Sequence, residues 1–169
     1  GQDRVFDLSL GNPVAEPPLS FNSALQSIAA TPVKGMHRYM PNSGYTETRQ
    51  SVADQLTSEA SLKFSANDIL MTCGTAGGLN VVLKTILNPG DEVVCSSFTF
   101  CASANPITYE QAVPVFIDSD RIGWNMDPNL LEEELVDCAG RGKLPKAVIV
   151  VDILGQSADL EQIVEIASR

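Results

Sequence analysis

Residues 68–169 predict an α/β fold of three layers, helix on sheet on helix, with a mainly parallel sheet. Two observations carry this. Four short runs, "DILMTC", "EVVCSS", "VPVFIDS" and "KAVIVVDIL", alternate with segments of helical periodicity. Each run is apolar nearly throughout rather than alternately polar, as a strand covered on both faces must be.

The helices between them have recognisable ends. "AGGLNVVLKTIL" places Leu79, Val82, Leu83, Ile86 and Leu87 on one helical face, and "NPGD" stops it, because Pro89 cannot continue a helix and Gly90 permits the turn. "SANPITYEQA" predicts a short helix with Pro106 near its start. "DPNLLEEELVDCAGRG" predicts a longer one, with Asp127 as N-cap, Pro128 in the first turn, and Gly140 and Gly142 at its end. "SADLEQIVEIASR" closes the series, capped by Ser157 or Asp159.

Residues 1–67 follow another pattern and predict an N-terminal arm with helices. "FDLSLGNPVAEPPLSF" is extended and proline-rich, "SFNSALQSIAATPV" holds one short helix, and "HRYMPNSGY" is an irregular loop. "TETRQSVADQLTSEA" is an amphipathic helix with Thr46 as its expected cap. The organisation is therefore 1–67, arm and helices, and 68–169, an α/β domain.

Composition narrows the function. The 169 residues are 44% hydrophobic and 19% charged, which describes a globular chain. A formal charge of −10 opposes nucleic acid or an anionic membrane as partner. With His37 alone and four cysteines outside any CxxC pair, no zinc set is expected. Cys73 and Cys95 lie in apolar runs and read as small core residues. "AVIVV" is too short to span a bilayer, and a reducing cytoplasm is the expected location.

The stretch "ILMTCGTAGGLNVVLKTIL" is an apolar run that breaks at glycines and restarts as a helix. Gly74 lets the backbone turn sharply. The N–H groups of Thr75, Ala76 and Gly77 then open the helix, with the positive end of its dipole behind them. Thr75 adds a hydroxyl. That is the grammar of a phosphate site, although strand-to-helix turns carry glycine for purely structural reasons too. The turn lacks the Lys-Ser or Lys-Thr of a nucleotide-triphosphatase loop and misses GxGxxG. The next run ends in Ser96-Ser97, where a dinucleotide site wants an acid. A dinucleotide-binding oxidoreductase is thus a distant alternative.

"LSLGNP", "HRYMPNSGYTETRQSVADQL" and "ILMTCGTAGGLNVVLKTILNPGDEVV" resemble the N-terminal third of class I amino-acid aminotransferases, pyridoxal-phosphate enzymes of fold type I. From residue 95, "SSFTFCASANPITYEQAVPVFIDSD", "WNMDPNLLEEEL" and "VVDILGQSADLEQIVEIA" resemble the DegT/StrS sugar aminotransferases, another branch of that fold. Residues 1–94 and 95–169 thus read as a mosaic of two cousins or a partial chain.

The resemblance implies pyridoxal 5'-phosphate as cofactor, with its phosphate on Gly74, Thr75 and Ala76. It makes Phe100 the aromatic that stacks on the pyridine ring, the alternative being a core aromatic. Tyr39 resembles the tyrosine that crosses a dimer to the neighbour's cofactor phosphate, or else packs its own loop. Asp152 could touch the ring hydroxyl or cap the next segment. Gly11 resembles the backbone lying over the substrate carboxylate. The implied reaction moves an amino group from a small-molecule amino donor to a keto acid or keto-sugar acceptor, in a homodimer; the uncovered sheet edge of a four-stranded unit also favours association.

In that fold the Schiff-base lysine and the acid facing the pyridine nitrogen follow the fourth strand and its helix. Lys84, Lys143 and Lys146 are no substitutes, so residues 1–169 are expected to be an incomplete chain without the catalytic lysine. A non-catalytic or engineered α/β module derived from the same fold is the rival reading.

Overall fold

The computed structural model describes residues 15–169; Gly11 lies outside them. Two compact units divide the chain, Gly1–Leu70 and Met71–Arg169. In the first, α1 (Leu19–Ala30) buries none of its residues, and Leu19, Phe21, Leu25 and Ile28 stand exposed. Helix α2 (Thr46–Glu59) buries Ala53 and packs against a 3-10 turn, Ala66–Asp68. Arg49 ties the two, donating from Nε to the Gly44 carbonyl and from its guanidinium to the Ala66 carbonyl. The expected Thr46 cap does not form. Tyr45 occupies the N-cap without a side-chain bond, and Thr46 is already the first helical residue.

The second unit runs α3 (Gly74–Ile86), β1 (Glu92–Ser96), α4 (Asn105–Tyr109), β2 (Val113–Ile117), α5 (Pro128–Gly140), β3 (Ala147–Ile149) and α6 (Leu160–Ala167). Its sheet is parallel, in the order β2-β1-β3, with Val94 opposite both Val115 and Val148. Alternate residues of β1 face opposite layers. Val94 joins Ile117, Leu131, Ile163 and Ile166 under α5 and α6; Val93 and Cys95 join Leu83, Leu87 and Ile107 under α3 and α4. This unit therefore has the expected three layers.

"DILMTC" does not become a strand. Ile69 is extended (φ −114°, ψ 129°), but residues 69–73 pair with none of the described strands, and Leu70 and Met71 are exposed. An apolar, extended sequence becomes a strand only when a neighbour accepts its backbone bonds. Cys73, expected in the core, is consequently exposed, while Cys95 on β1 is buried as expected. On β2, Val113 donates to Asp91 and Ile117 accepts from Ser97, so residues 113, 115 and 117 serve β1. Pro114, which has no N–H, faces the outer edge, where a proline costs the ladder nothing. Among the described residues no helix is long and apolar enough to cross a membrane.

Candidate functional site

Helix α3 leads through the Asn88–Asp91 turn into β1 and packs back on it through Leu83 and Leu87. Its N-terminus therefore lies at the edge where β1 ends, the side of a parallel α/β sheet on which ligands bind. Gly74 holds φ +70°, and its N–H donates to the Thr72 carbonyl at 3.0 Å. A Cβ built on Gly74 meets nothing within 4 Å. The glycine is there for its dihedral, not for lack of room. Thr72 Oγ1 donates to the Gly74 carbonyl at 3.1 Å and secures the turn.

Beyond it α3 opens without a side-chain cap at Cys73 and without an acid in its first turn. Thr75 and Ala76 are exposed and Gly77 half-buried, so the first-turn N–H groups face outward. The neighbouring helices differ. Asp127 caps α5 by accepting from the Asn129 N–H at 2.9 Å, and Asp159 caps α6 by accepting from the Gln162 N–H at 3.1 Å. Of the three helices of eight residues or more in this unit, only α3 presents a bare positive end.

Phe100 is 74% exposed. It precedes the 3-10 turn Cys101–Ser103, and that turn packs on α3, bringing the residue's stem to the same side of the site. Thr99 and Ser103 share a hydroxyl bond of 2.8 Å that steadies the turn. Asp152 follows β3 at the same edge. Its Oδ1 accepts from the Ala158 N–H at 2.9 Å, so the capping alternative is realised at one oxygen. Tyr39 lies in the other unit and is fully exposed.

Two lysines are spent elsewhere. Lys143 pairs with Glu92 at 2.8 Å at the start of β1, and Lys84 with Glu110 at 2.6 Å. The Lys143 ammonium holds the Glu92 carboxyl below the usual carboxylate range. Both pairs sit away from the ligand edge.

The loop between β2 and α5 holds what sequence reasoning missed. Asp120 Oδ1 accepts from the Ile122 and Gly123 N–H groups at 2.7 and 2.6 Å, and these backbone bonds lower its pKa. Trp124 takes φ +64° and meets Phe98 edge-on, ring centroids 5.7 Å apart. Asn125 is buried and bonds to the loop after β3. Only the run of Asp, Gly and Asn in "DRIGWNMD" hinted at a tight turn there.

An open, glycine-led helix start and an exposed aromatic thus lie at the edge where the strands of a parallel sheet end. Residues 42–169 match the model of the DegT/DnrJ/EryC1/StrS aminotransferase family, and the chain belongs to that family. It is 45% identical over 117 residues to "Putative pyridoxal phosphate-dependent aminotransferase EpsN" of Bacillus subtilis, covering 69% of this chain and 29% of that protein. The Escherichia coli O157:H7 GDP-perosamine synthase is 37% identical over 99 residues, 57% of this chain and 25% of the relative. The chain thus spans less than a third of either relative.

Amino-acid enzymes recur as well. The aromatic-amino-acid aminotransferase 1 of Thermococcus litoralis is 30% identical over 114 residues, 68% of this chain and 27% of that one. A DegT/DnrJ/EryC1/StrS aminotransferase structure from Brucella abortus superposes with a TM-score of 0.63 at 28% identity, over 88% of this chain and 37% of that one. The Pyrococcus furiosus alanine aminotransferase, at 18% identity, shares the fold with a TM-score of 0.71 over 92% of this chain and 39% of its own.

Proposed function

We propose that these residues form the cofactor-phosphate and ring-stacking part of a pyridoxal-phosphate-dependent sugar aminotransferase. The observation that carries this is the uncapped start of α3, lying within the family match. The complete enzyme moves an amino group from an amino acid to a keto-sugar; relatives such as GDP-perosamine synthase favour the sugar over a keto acid. The matches to amino-acid aminotransferases sustain the keto acid as the second possibility.

The residues present suit that cofactor. Thr75, Ala76 and Gly77 would donate to its phosphate, each charge-assisted bond contributing roughly 1.5–3 kcal/mol net. The Thr75 hydroxyl adds a donor. Phe100 would lie against one face of the pyridine ring, excluding water and fixing its plane. Asp152 keeps one carboxylate oxygen for a ring substituent, the other being used by Ala158. Gly11 is proposed over the substrate carboxylate and Tyr39 at a second subunit's phosphate. When bound, the cofactor supplies the electron sink that lets an amino group leave one carbon and join another.

A homodimer fits the exposed apolar residues of α1, and four free cysteines fit a reducing cytoplasm. Taken by itself, the second unit offers a cradle without a lysine at the ligand edge. Pyridoxal phosphate should therefore bind reversibly, and borohydride should trap it stoichiometrically on no single lysine among residues 1–169. The deciding experiment is a titration with pyridoxal phosphate of wild type and the Gly74→Val variant. Equal affinities would reduce "GTAGG" to an ordinary turn.

A further inference from the structure

We propose that Asn125 is a positioning residue for the cofactor ring, strapping the segment Asp152–Ala158 across the ligand edge of the sheet. This rests on the cofactor proposal above and deepens it. Asn125 is 4% exposed and lies in the loop leaving β2. Both bonds of its side-chain amide go to the loop leaving β3. Nδ2 donates to the Gln156 carbonyl at 2.9 Å, and Oδ1 accepts from the Ile153 N–H at 3.0 Å. The sheet order is β2-β1-β3, so the exits of the two outer strands are joined across the end of the central one.

Each end of the strap is under conformational constraint. The Asn125 carbonyl accepts from the Asp120 N–H at 2.9 Å, closing the turn in which Trp124 holds φ +64°. On the other side Leu154 holds φ +51° and Gly155 φ +80°. Non-glycine residues with positive φ persist where their surroundings over-determine them, and they concentrate at functional sites. A carboxamide is the side-chain chemistry required, because it offers a neutral donor and an acceptor together; one N–H and one oxygen lone pair are used here. An aspartate keeps only the acceptor, and an alanine neither.

The strapped segment starts at Asp152 and stands beside the exit of β1 that leads to Phe100. Met126 and Ala158, next to the two ends, pack on the same sheet face as Val94. Ser96, at the end of β1 on that face, buries a hydroxyl without a partner among the described residues. The strap thus crosses an edge that retains unspent polar capacity, and Asn125 determines where the β3 side of that edge lies.

The test compares wild type, Asn125→Ala and Asn125→Asp in three measurements: amide exchange over residues 152–158, affinity for inorganic phosphate, and affinity for pyridoxal phosphate. In Asn125→Ala, exchange should quicken and pyridoxal-phosphate affinity should fall about tenfold, the scale of one lost hydrogen-bonded anchor. Inorganic phosphate, which needs only the α3 turn, should bind as before. Asn125→Asp keeps the acceptor for Ile153 but sets a carboxylate oxygen against the Gln156 carbonyl in a buried site, so pyridoxal-phosphate affinity should fall at least as far, with exchange quickest near Gln156.

A merely structural role would weaken both ligands alike or neither; either result overturns the assignment, as does unchanged exchange. Loss of a cooperative melt in both variants makes Asn125 a folding residue and overturns it too. A wild type that binds neither ligand brings down the cofactor proposal along with this one. A wild type that binds both, with variants indistinguishable from it, brings down this one alone.

Discussion

The starts of α3 and α5 lie in one unit, yet they treat their free N–H groups in opposite ways. At α5, Asp127 accepts from the Asn129 N–H, and Pro128 removes one donor outright. At α3, Cys73 accepts nothing, the first turn holds no acid, and a glycine at φ +70° turns the chain away from the exposed donors. Helix α6, capped by Asp159, follows α5. A capped helix has consumed its own positive end. An uncapped one keeps it for an external anion, at the cost of the local stability a cap contributes. Binding capacity and helix stability are thus alternatives at these positions.

Converting α3 into a copy of α5 should have the largest effect. Cys73→Asp supplies the absent cap, so phosphate and pyridoxal-phosphate affinity should fall tenfold or more, on the order of 1.4 kcal/mol, while the melting temperature rises. Calorimetric titration and thermal unfolding read the two together, and a variant that binds as tightly as wild type breaks the comparison. Gly74→Val comes next. A β-branched residue tolerates φ +70° poorly, at about 1–2 kcal/mol, so the turn should re-form differently, with binding weakened severalfold although a Cβ there has room.

The reverse experiment has a smaller effect. Asp127→Ala and Asp159→Ala should each cost about 1 kcal/mol of stability and leave phosphate affinity unchanged, as judged by denaturant melts beside titrations. Thr75→Ala should weaken phosphate modestly, since one hydroxyl goes and the backbone donors stay. The smallest effect is on acid titration of the Asp120 turn. Its folded pKa is depressed, chiefly by the Gly123 and Ile122 N–H groups. Its stabilising contribution is therefore complete above the ordinary carboxylate range and lost as pH falls through the depressed value. Amide chemical shifts of Ile122 and Gly123, followed from about pH 5 to about pH 2, should move late. A midpoint at or above the ordinary range would show that these bonds do not hold the turn.

Much of the second unit is legible in the sequence because its signals are local. The periodicity of Leu79, Val82, Leu83 and Ile86 places α3, and "NPGD" ends it where the helix ends. Asp127-Pro128 begins α5 as read, and the apolar runs at 92–96 and 113–117 are strands. Where a partner decides the structure, local signals do not suffice. "DILMTC" has a strand's composition and no ladder among the described residues. Cys73 left the core with it. At Thr46 the capping chemistry was read one residue late, since Tyr45 is the last non-helical residue.

The candidate site divides along the same line. That Gly74 can turn the chain sharply, and that Thr75 and Ala76 would open a helix, follows from glycine's missing Cβ and from backbone donors every helix start must leave free. Those are properties of a few neighbouring residues, so the sequence by itself determined them. That α3 stays uncapped while α5 and α6 are capped became certain only in three dimensions, as did the exposure of Phe100 and the bond from Asp152 to Ala158. Asn125 gave almost no sign. Its partners, Ile153 and Gln156, lie 28 and 31 residues away, and a side-chain amide has no periodicity to betray them. Their meeting is decided by the order β2-β1-β3, which brings the exits of two strands within reach across a third.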